Sequence, residues 1–338
     1  MQEEITERTS ILDENGHVRR PGWARDDLFD YDRTKITSSP LRIKEWDFWE
    51  VFNDNYRVVL NIYDIGFAGV AQFTFTDFNA KKSVNAAIFK LFTRGSVGNP
   101  PSWRYKVPLV FKKEKNRMEF SRDGDDIHLC VEFPSKNIKG DFTLYKDPRM
   151  DSMANLIPFK NPRHFVYAVK IMCLPARGLL RVGNEEISFD EGNNSWGVLD
   201  WTRAVFPYKN HWKWCIASGI VGGINLGFNI DYGFGTESSK SMIVHGTRGH
   251  HLDIVEYQHD PKHLEKPLDI ASPEGRVKLT LVPKFVEKTS MNIGFLKMAG
   301  FNTYGYFTGE LVLDDGSVIA VQESDKLFGW AEEFDQRW

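Results

Sequence analysis

Three ionisable side chains in the second half of the chain have the chemistry that proton transfer needs. Asp200 stands in the cluster Asp200-Trp201-x-Arg203, Glu237 ends a glycine-rich stretch, and His245 ends a short apolar run. A carboxyl group beside an aromatic wall can protonate a double bond or activate water, and an apolar environment keeps such a group neutral at about pH 7. Histidine is a common partner in such transfers. We therefore predict Asp200, Glu237 and His245 as catalytic residues.

The cluster around Asp200 also has a structural interpretation. Trp and Arg side chains can stack to close the end of a β-barrel, and a carboxylate then pairs with the Arg because an unpaired buried charge is costly. This interpretation is favoured for Trp201 and Arg203, which we otherwise predict as ligand contacts, whereas Asp200 fits either role. Trp46-Asp47 repeats the feature in the first half of the chain, so one pocket would use only one of the two Asp residues.

Large rings follow the cluster at alternate positions of a predicted strand. Tyr208, Trp212 and Trp214 share one face because successive strand residues point to opposite sides. Such rings form a wall for a flat apolar ligand, although they could equally fill a barrel core. Further along, Asn225 and Asn229 can direct polar groups towards the same ligand, or they can belong to a bulge or turn. We predict all five as ligand-binding residues.

Several other chemistries are not indicated. His259 and His263 have a metal-like spacing only if they share a helix, which Pro261 interrupts, so no metal site is predicted. The three cysteines lack any CxxC pairing. The glycine-rich segments lack the spacing of a phosphate-binding loop or a dinucleotide fold. No cofactor is predicted.

Composition and charge place the chain among ordinary globular proteins. Its 338 residues carry a formal net charge of −3, which gives no overall attraction to nucleic acid or to acidic lipid. The polar start lacks the apolar core of a secretory signal, and the longest weakly polar run is too short for a membrane helix. We therefore expect a cytoplasmic protein without an integral membrane segment. The oligomeric state is not indicated.

Alternation of apolar and polar residues predicts an all-β protein. Met118 to Phe133 and Leu180 to Phe189 read as hairpins that turn at Asp-Gly and Gly-Asn. Residues 1–40 read as an irregular arm, fixed by three aromatic rings. Only residues 330–336 suggest a short helix.

The chain also resembles itself. A shift of 154 residues places Gly69 on Gly223 and Arg94 on Arg248, and a shift of 131 places Gly178 on Gly309. Two copies, 41–195 and 196–338, would each curl into an antiparallel barrel, which removes exposed edge strands and can hold a small ligand. Glycines near the repeated positions would permit the coiling. We predict two tandem antiparallel β-barrels, with a hollow interior near the second Trp-rich segment.

Several segments carry a family resemblance. PGWARDDLFDYDR, KEWDFWEVF, LDWTRAVFPYKNHWKWCIASG, LDDGS and GWAEEFDQRW resemble the DUF2804 family, and more distantly the chain is similar to the carotenoid hydratase and AttH group. This resemblance implies tandem lipocalin-like barrels. The group includes enzymes that act on apolar polyenes and fungal pericyclases, but DUF2804 itself supplies no established reaction. At Phe228–Asp231 the sequence differs from the family pattern, so the resemblance does not assign Asn229 or Asp231 to the pocket.

Together these observations predict a protein that binds a hydrophobic small molecule in a β-barrel pocket. The first hypothesis is a cofactor-independent acid–base enzyme that catalyses hydration, isomerisation or cyclisation. The second hypothesis is a lipid carrier that catalyses no reaction. It predicts the same aromatic pocket walls but no reactive acid. The third is a carbohydrate-active protein, since Trp and Tyr platforms beside Asp and Asn also suit sugars.

Overall fold

The computed structural model describes residues 2–233, 241–294 and 296–337. These residues form twenty-five β-strands, and within the described ranges the only helical segments are four single 3-10 turns. The turns are Arg33–Lys35, Pro134–Lys136, Glu191–Asn193 and Glu323–Asp325. The predicted all-β fold is therefore confirmed.

The N-terminal arm contributes three short strands. They are β1 (Thr9–Ser10), β2 (Gly22–Ala24) and β3 (Phe29–Asp30). The rings of Trp23, Phe29 and Tyr31 are all buried, and Trp23 also stacks on His251 with ring centres 4.3 Å apart. The arm therefore contacts parts of the chain more than 200 residues away in sequence.

The first large sheet has thirteen strands. With β2 they are β4 (Ile43–Phe52), β5 (Tyr56–Asp64), β6 (Ala68–Asp77), β7 (Lys82–Leu91), β8 (Leu109–Lys113), β9 (Asn116–Asp123), β10 (Asp126–Phe133), β11 (Ile138–Leu144), β12 (Met153–Pro158), β13 (Phe165–Val182), β14 (Glu185–Phe189) and β15 (Trp196–Val205). The main path runs β7-β6-β5-β4-β15-β13-β11-β10-β9-β8. Its ends meet where Lys113 Nζ donates to Phe89 O at 3.1 Å, so the sheet curls into a barrel.

The second sheet has ten strands. They are β16 (Lys209–Val221), β17 (Ile224–Gly233), β18 (Ser241–His245), β19 (Arg248–Leu252), β20 (Glu256–Tyr257), β21 (Leu268–Ala271), β22 (Val277–Ile293), β23 (Leu296–Val312), β24 (Val318–Val321) and β25 (Phe328–Arg337). The main path runs β19-β18-β17-β16-β25-β23-β22-β21-β20. The predicted pair of tandem antiparallel barrels is thus confirmed.

The strands follow the same order in the two sheets. The alignment of the chain with itself at a shift of 154 residues is nevertheless wrong, because it pairs each strand with the neighbour of its true counterpart. That shift sets β4 on β15, whereas the sheet paths set β4 on β16 and β15 on β25. The shift of 131 is right, because it sets the hairpin β13–β14 on β23–β24. Neighbouring strands have similar lengths and the same alternation of apolar and polar residues. An alignment displaced by one whole strand therefore still matches apolar residues with apolar residues, which explains the error.

The C-terminal segment differs from the element that the sequence predicts. Residues 330–336 lie in the extended strand β25, so the predicted short helix is wrong. Trp330, Glu332 and Phe334 alternate with Ala331 and Glu333, which is a strand period. In addition, Trp196–Val205 pairs with β4 and β13 of the first sheet, so the second sheet begins at β16. The division into domains at 195/196 stays a prediction.

The two barrels contact each other through one face of each sheet. Phe52 and Trp330 pack edge to face with ring centres 5.5 Å apart, and the backbone N–H of Cys173 donates to Ser218 Oγ at 3.0 Å. Each barrel keeps its own apolar interior on the opposite face. We call the contact surface between the barrels the seam.

Candidate functional site

A cavity of about 860 Å³ lies at the seam, with one wall from each sheet. On β4, Phe48 and Glu50 line this cavity, whereas Asp47 and Trp49, at the alternate positions, point into the first barrel and are fully buried. Alternation along the strand therefore gives each sheet one face for its own core and one for the cavity. The aromatic lining residues are Trp46, Phe48, Tyr63, Phe73, Phe206, Trp212, Trp214, Trp330 and Phe334.

This position differs from the hollow interior that the sequence predicts beside the second Trp-rich segment. The interior of the second barrel is filled by apolar side chains, including the fully buried Leu226, Phe228 and Phe307. The Trp-rich strand β16 does line a cavity, but it does so with its other face, which is turned towards the first barrel.

Lys170 stands at the centre of the charged part of the cavity wall. Its Nζ lies 2.8 Å from Asp200 Oδ2 and 3.7 Å from Asp231 Oδ2, and 4.0 Å from the centre of the Trp214 ring. Thr202 Oγ1 donates to Asp200 Oδ1 at 2.9 Å. The ammonium group thus links a carboxylate of each sheet. Hydrogen bonds and an aromatic face are contacts that stabilise an ion pair of this kind.

Glu332 is a carboxyl group of the cavity wall whose pKa is strongly raised. Burial raises its pKa to about 8, and the nearby Asp200 also raises it. The Trp212 Nε1–H group donates to Glu332 Oε1 at 2.8 Å and, with the more distant Lys170, acts in the opposite direction. A carboxyl with this pKa is largely protonated at neutral pH, so it can donate a proton into the cavity.

A second raised carboxyl lies further along the same cavity. Burial raises the pKa of Glu50 to about 7, against the opposing effect of Arg57. Arg57 Nε lies 3.1 Å from Glu50 Oε1, and its Nη1 lies 3.1 Å from Glu287 Oε2 and hydrogen-bonds the Tyr304 hydroxyl. This cluster ties the first sheet to the long hairpin β22–β23 of the second.

The charged groups occupy equivalent positions of the two barrels. Direct cross-strand partners on β13, β15, β4 and β5 form the first row, which is Lys170, Asp200, Phe48 and Asn61. The matching partners on β23, β25, β16 and β17 form the second row, which is Asn302, Glu332, Trp214 and Asp231. All eight residues line the cavity. Asp200 and Glu332 are therefore counterparts in the repeat, and they meet at the seam.

Three of the predicted site residues lie in this cavity wall, and a fourth supports it. Asp200, Trp212 and Trp214 line the cavity. Asn229 is fully buried, and its Oδ1 accepts a hydrogen bond of 2.6 Å from Trp214 Nε1, so it fixes the orientation of that ring. The structure thus brings together one predicted acid and the predicted aromatic wall.

Trp201 and Arg203 lie on the opposite face of β15, inside the first barrel. Arg203 is fully buried, its guanidinium lies 3.9 Å from the centre of the Trp201 ring, and its Nη2 pairs with Asp47 Oδ2 at 2.9 Å. Asp47 also accepts a hydrogen bond from the Tyr105 hydroxyl at 2.9 Å. This is the barrel-closing arrangement described above, so neither Trp201 nor Arg203 contributes to the cavity.

The remaining predicted site residues lie elsewhere or are not described. Tyr208 is 44% exposed and lies outside the cavity lining. Asn225 and His245 lie near the far ends of β17 and β18, where His245 pairs with Leu226, and neither lines the cavity. Glu237 lies outside the described residues. The predicted catalytic trio therefore does not assemble among the residues that the structure describes.

Sequence reasoning missed Lys170 and Glu332, and it left Asp231 unassigned. A strand signal was present for Glu332, because Trp330, Glu332 and Phe334 alternate at the same period as Trp212 and Trp214. Lys170 had no such signal, since it interrupts the apolar and uniformly buried first part of β13, residues 165–174. In the described ranges no three His, Cys, Asp or Glu side chains are grouped so that they could hold a metal ion.

The fold and the shared cavity define a protein with tandem lipocalin-like barrels. Kievitone hydratase from Nectria haematococca is similar at 10% identity and a TM-score of 0.50, with 87% of this chain and 88% of that chain covered. CghA is similar at 11% identity and a TM-score of 0.52, with 98% and 97% covered. A protein of Nitrosomonas europaea assigned as AttH matches at 12% identity and a TM-score of 0.45, with 90% and 96% covered.

The chain belongs to the DUF2804 family, a domain of unknown function that matches residues 2–338. The predicted membership is therefore confirmed, and the likeness to kievitone hydratase and CghA is one of fold. No curated protein sequence matches the chain. Within the described residues, no helix has both the length and the apolar character that crossing a membrane would require.

Proposed function

We propose that the protein binds an apolar, unsaturated small molecule in the cavity at the seam and catalyses a cofactor-independent acid–base reaction on it. Glu332 is the general acid, and Asp200, held by Lys170 and Thr202, is the proton acceptor. The observation that carries this proposal is a carboxyl with a pKa of about 8 that faces an aromatic cavity beside an ion-paired carboxylate.

The chemistry follows from the two protonation states. Glu332 gives its proton to one carbon of a double bond, and the positive charge that develops on the other carbon is stabilised by the Trp faces and the carboxylates. Loss of a different proton to Asp200 completes an isomerisation. Attack by water, with its proton passing to Asp200, completes a hydration. Attack by a second double bond forms a ring and a new cation, and loss of a proton from that cation to Asp200 completes a cyclisation. None of these routes changes the oxidation state of the protein.

The similarity to kievitone hydratase supports the fold on which this proposal depends, and the name of that protein makes hydration the first reaction to test. The cavity supports an apolar guest, because nine aromatic residues line it. A cavity of this volume is in the usual range for small-molecule sites.

The test is to incubate the protein with a panel of terpenoid alkenes and polyenes in heavy water. Mass spectrometry then follows addition of one water or incorporation of deuterium. We expect turnover of at least one compound and a loss of roughly 100-fold or more in Glu332→Gln, which keeps the shape but cannot donate the proton. The matched control is Asp335→Asn, on the same strand but with a side chain that is 82% exposed.

The carrier hypothesis predicts a different result in the same experiment. If compounds are retained in native mass spectra but none is converted, and if Glu332→Gln leaves retention unchanged, the acid–base proposal is contradicted. Equal losses in Glu332→Gln and Asp335→Asn would also contradict the assigned role of Glu332.

A further inference from the structure

Exposed apolar and basic side chains cover the place where the edge strands β7 and β8 of the first sheet meet. The Lys113 ammonium lies 4.9 Å from the centre of the Phe89 ring, which joins the two edges. We call this surface the basic–apolar patch. Its apolar members are Phe89, Leu91, Phe92, Val107 and Val110. Its basic members are Lys90, Lys106, Lys112 and Lys113, all exposed.

The patch lies in a part of the chain with an unusual charge. Residues 81–117 contain ten Lys and Arg residues and a single acidic residue, Glu114, although the whole chain has a net charge of −3. The remainder of the chain is therefore markedly acidic. A local excess of this size produces a positive surface that attracts an anionic partner within about 10 Å, even though the protein as a whole is not basic.

The apolar side chains of the patch are unusually exposed, which indicates a surface that binds a partner. Phe92 is 68% exposed and Val107 is 73% exposed. Single apolar residues at a surface are ordinary, but a contiguous group marks an interaction site. Phe89 and Phe92 offer rings on which a nucleic-acid base could stack, but the aliphatic Leu91, Val107 and Val110 do not. The mixed apolar group therefore favours a lipid surface over a polynucleotide.

The patch is continuous with the cavity. On β7, Ala87 lines the cavity and is exposed, so the cavity opens there, and Phe89 is the next residue on the same face. The cross-strand neighbours of Phe89 lead back through Val70 to Tyr63, which also lines the cavity. One sheet face thus runs from the cavity to the patch.

We propose that the basic–apolar patch docks the protein on the surface of a bilayer that contains anionic lipid. The Lys side chains contact lipid phosphates, and the Phe, Leu and Val side chains enter the boundary between head groups and acyl chains. Docking turns the open end of the cavity towards apolar molecules dissolved in the membrane. The proposal stands apart from the proposed function, because binding to the bilayer requires no ligand in the cavity.

The experiment measures co-sedimentation of the full chain with vesicles of phosphatidylcholine alone or with about one-third phosphatidylglycerol. We expect binding to the anionic vesicles only, and release at high salt. Phe92→Ser lowers the partition coefficient roughly tenfold because an apolar ring no longer enters the interface. Lys106→Gln and Lys112→Gln each lower it roughly fivefold.

The matched controls are Val318→Ser, an exposed apolar position of the second sheet, and Lys136→Gln, an exposed Lys outside the patch. Both retain wild-type binding. Absence of binding to anionic vesicles overturns the proposal, as does binding that Phe92→Ser leaves unchanged. Heparin that captures the wild type and Phe92→Ser equally, without vesicle binding, would assign the patch to a soluble polyanion. A Phe92→Ser variant that changes only the oligomeric state would assign it to contacts between copies.

Discussion

The two rows that face each other across the seam occupy equivalent strands but carry different charges. In the first row Lys170 stands beside Asp200, and in the second row the position beside Glu332 holds the uncharged Asn302. The first acid therefore has a cation within hydrogen-bond distance, whereas burial governs the second and raises its pKa. A single difference between Lys and Asn separates an ion-paired carboxylate from a neutral acid, and proton transfer needs one of each.

The largest effect is expected from removing the cation of the first row. Lys170→Met leaves the carboxylates of Asp200 and Asp231 without their shared partner, so the free energy of unfolding should fall by about 3 to 5 kcal/mol. Urea denaturation at neutral pH measures it. The matched control is Asn302→Met at the equivalent position of the second row, where no charge is lost. An equal decrease in the free energy of unfolding in Lys170→Met and Asn302→Met would contradict the proposed difference in charge between the two rows.

A smaller effect is expected in the pH dependence of stability. The folded pKa of Glu332, about 8, lies above its ordinary value of 4.5, so between these pH values the folded protein binds more protons than the unfolded chain. The stability that this group contributes is complete below about pH 4.5 and is lost as the pH rises to about 8.

Glu332→Gln should therefore remove up to about 4 kcal/mol of the decrease in stability across that range. Urea denaturation of the wild type and the variant at both ends of the range isolates this contribution, because the other titrating groups cancel in the difference. The residual slope should include Glu50, whose pKa is raised to about 7. Parallel profiles would show that Glu332 ionises in the usual range.

The smallest effect concerns the two Trp residues at matching positions of β4 and β16. Trp212→Phe removes the N–H that hydrogen-bonds Glu332, so the pKa of Glu332 should rise further, by an amount equivalent to about 1 kcal/mol. Carbon-13 NMR of the labelled carboxyl groups measures it. Trp46→Phe, the counterpart in the first barrel, should leave that pKa unchanged. A similar shift in both variants would assign the effect to packing.

The sequence predicts the architecture better than the site. Strand alternation, turn residues and the repeated hairpin at a shift of 131 indicate two antiparallel barrels, since these signals are local. The position of the cavity depends on which face of each strand meets the other barrel, and alternation alone does not distinguish an inner from an outer face. Asp200 and Trp214 line a cavity between the barrels, whereas the sequence predicts them in the interior of one barrel.

Arg203 and Lys170 illustrate two limits of reading a site from sequence: a conspicuous motif can lie outside the cavity, and a cavity residue can lack any motif. Arg203 stands in a conspicuous cluster that attracts a functional interpretation, yet it serves the first barrel core through Asp47. Lys170 has no motif around it, and its importance arises from Asp200 and Asp231, which are distant in sequence. The net charge of −3 likewise concealed the basic segment at 81–117, because a sum over the chain carries no information about where the charges lie.

Because the cavity is bounded by two separately packed barrels, its width is governed by contacts such as Phe52 against Trp330 rather than by either core. Under the proposed function, substitutions at these contacts would change the size of the molecules that the cavity admits. They would do so without altering the side chains that fill the interior of the second barrel.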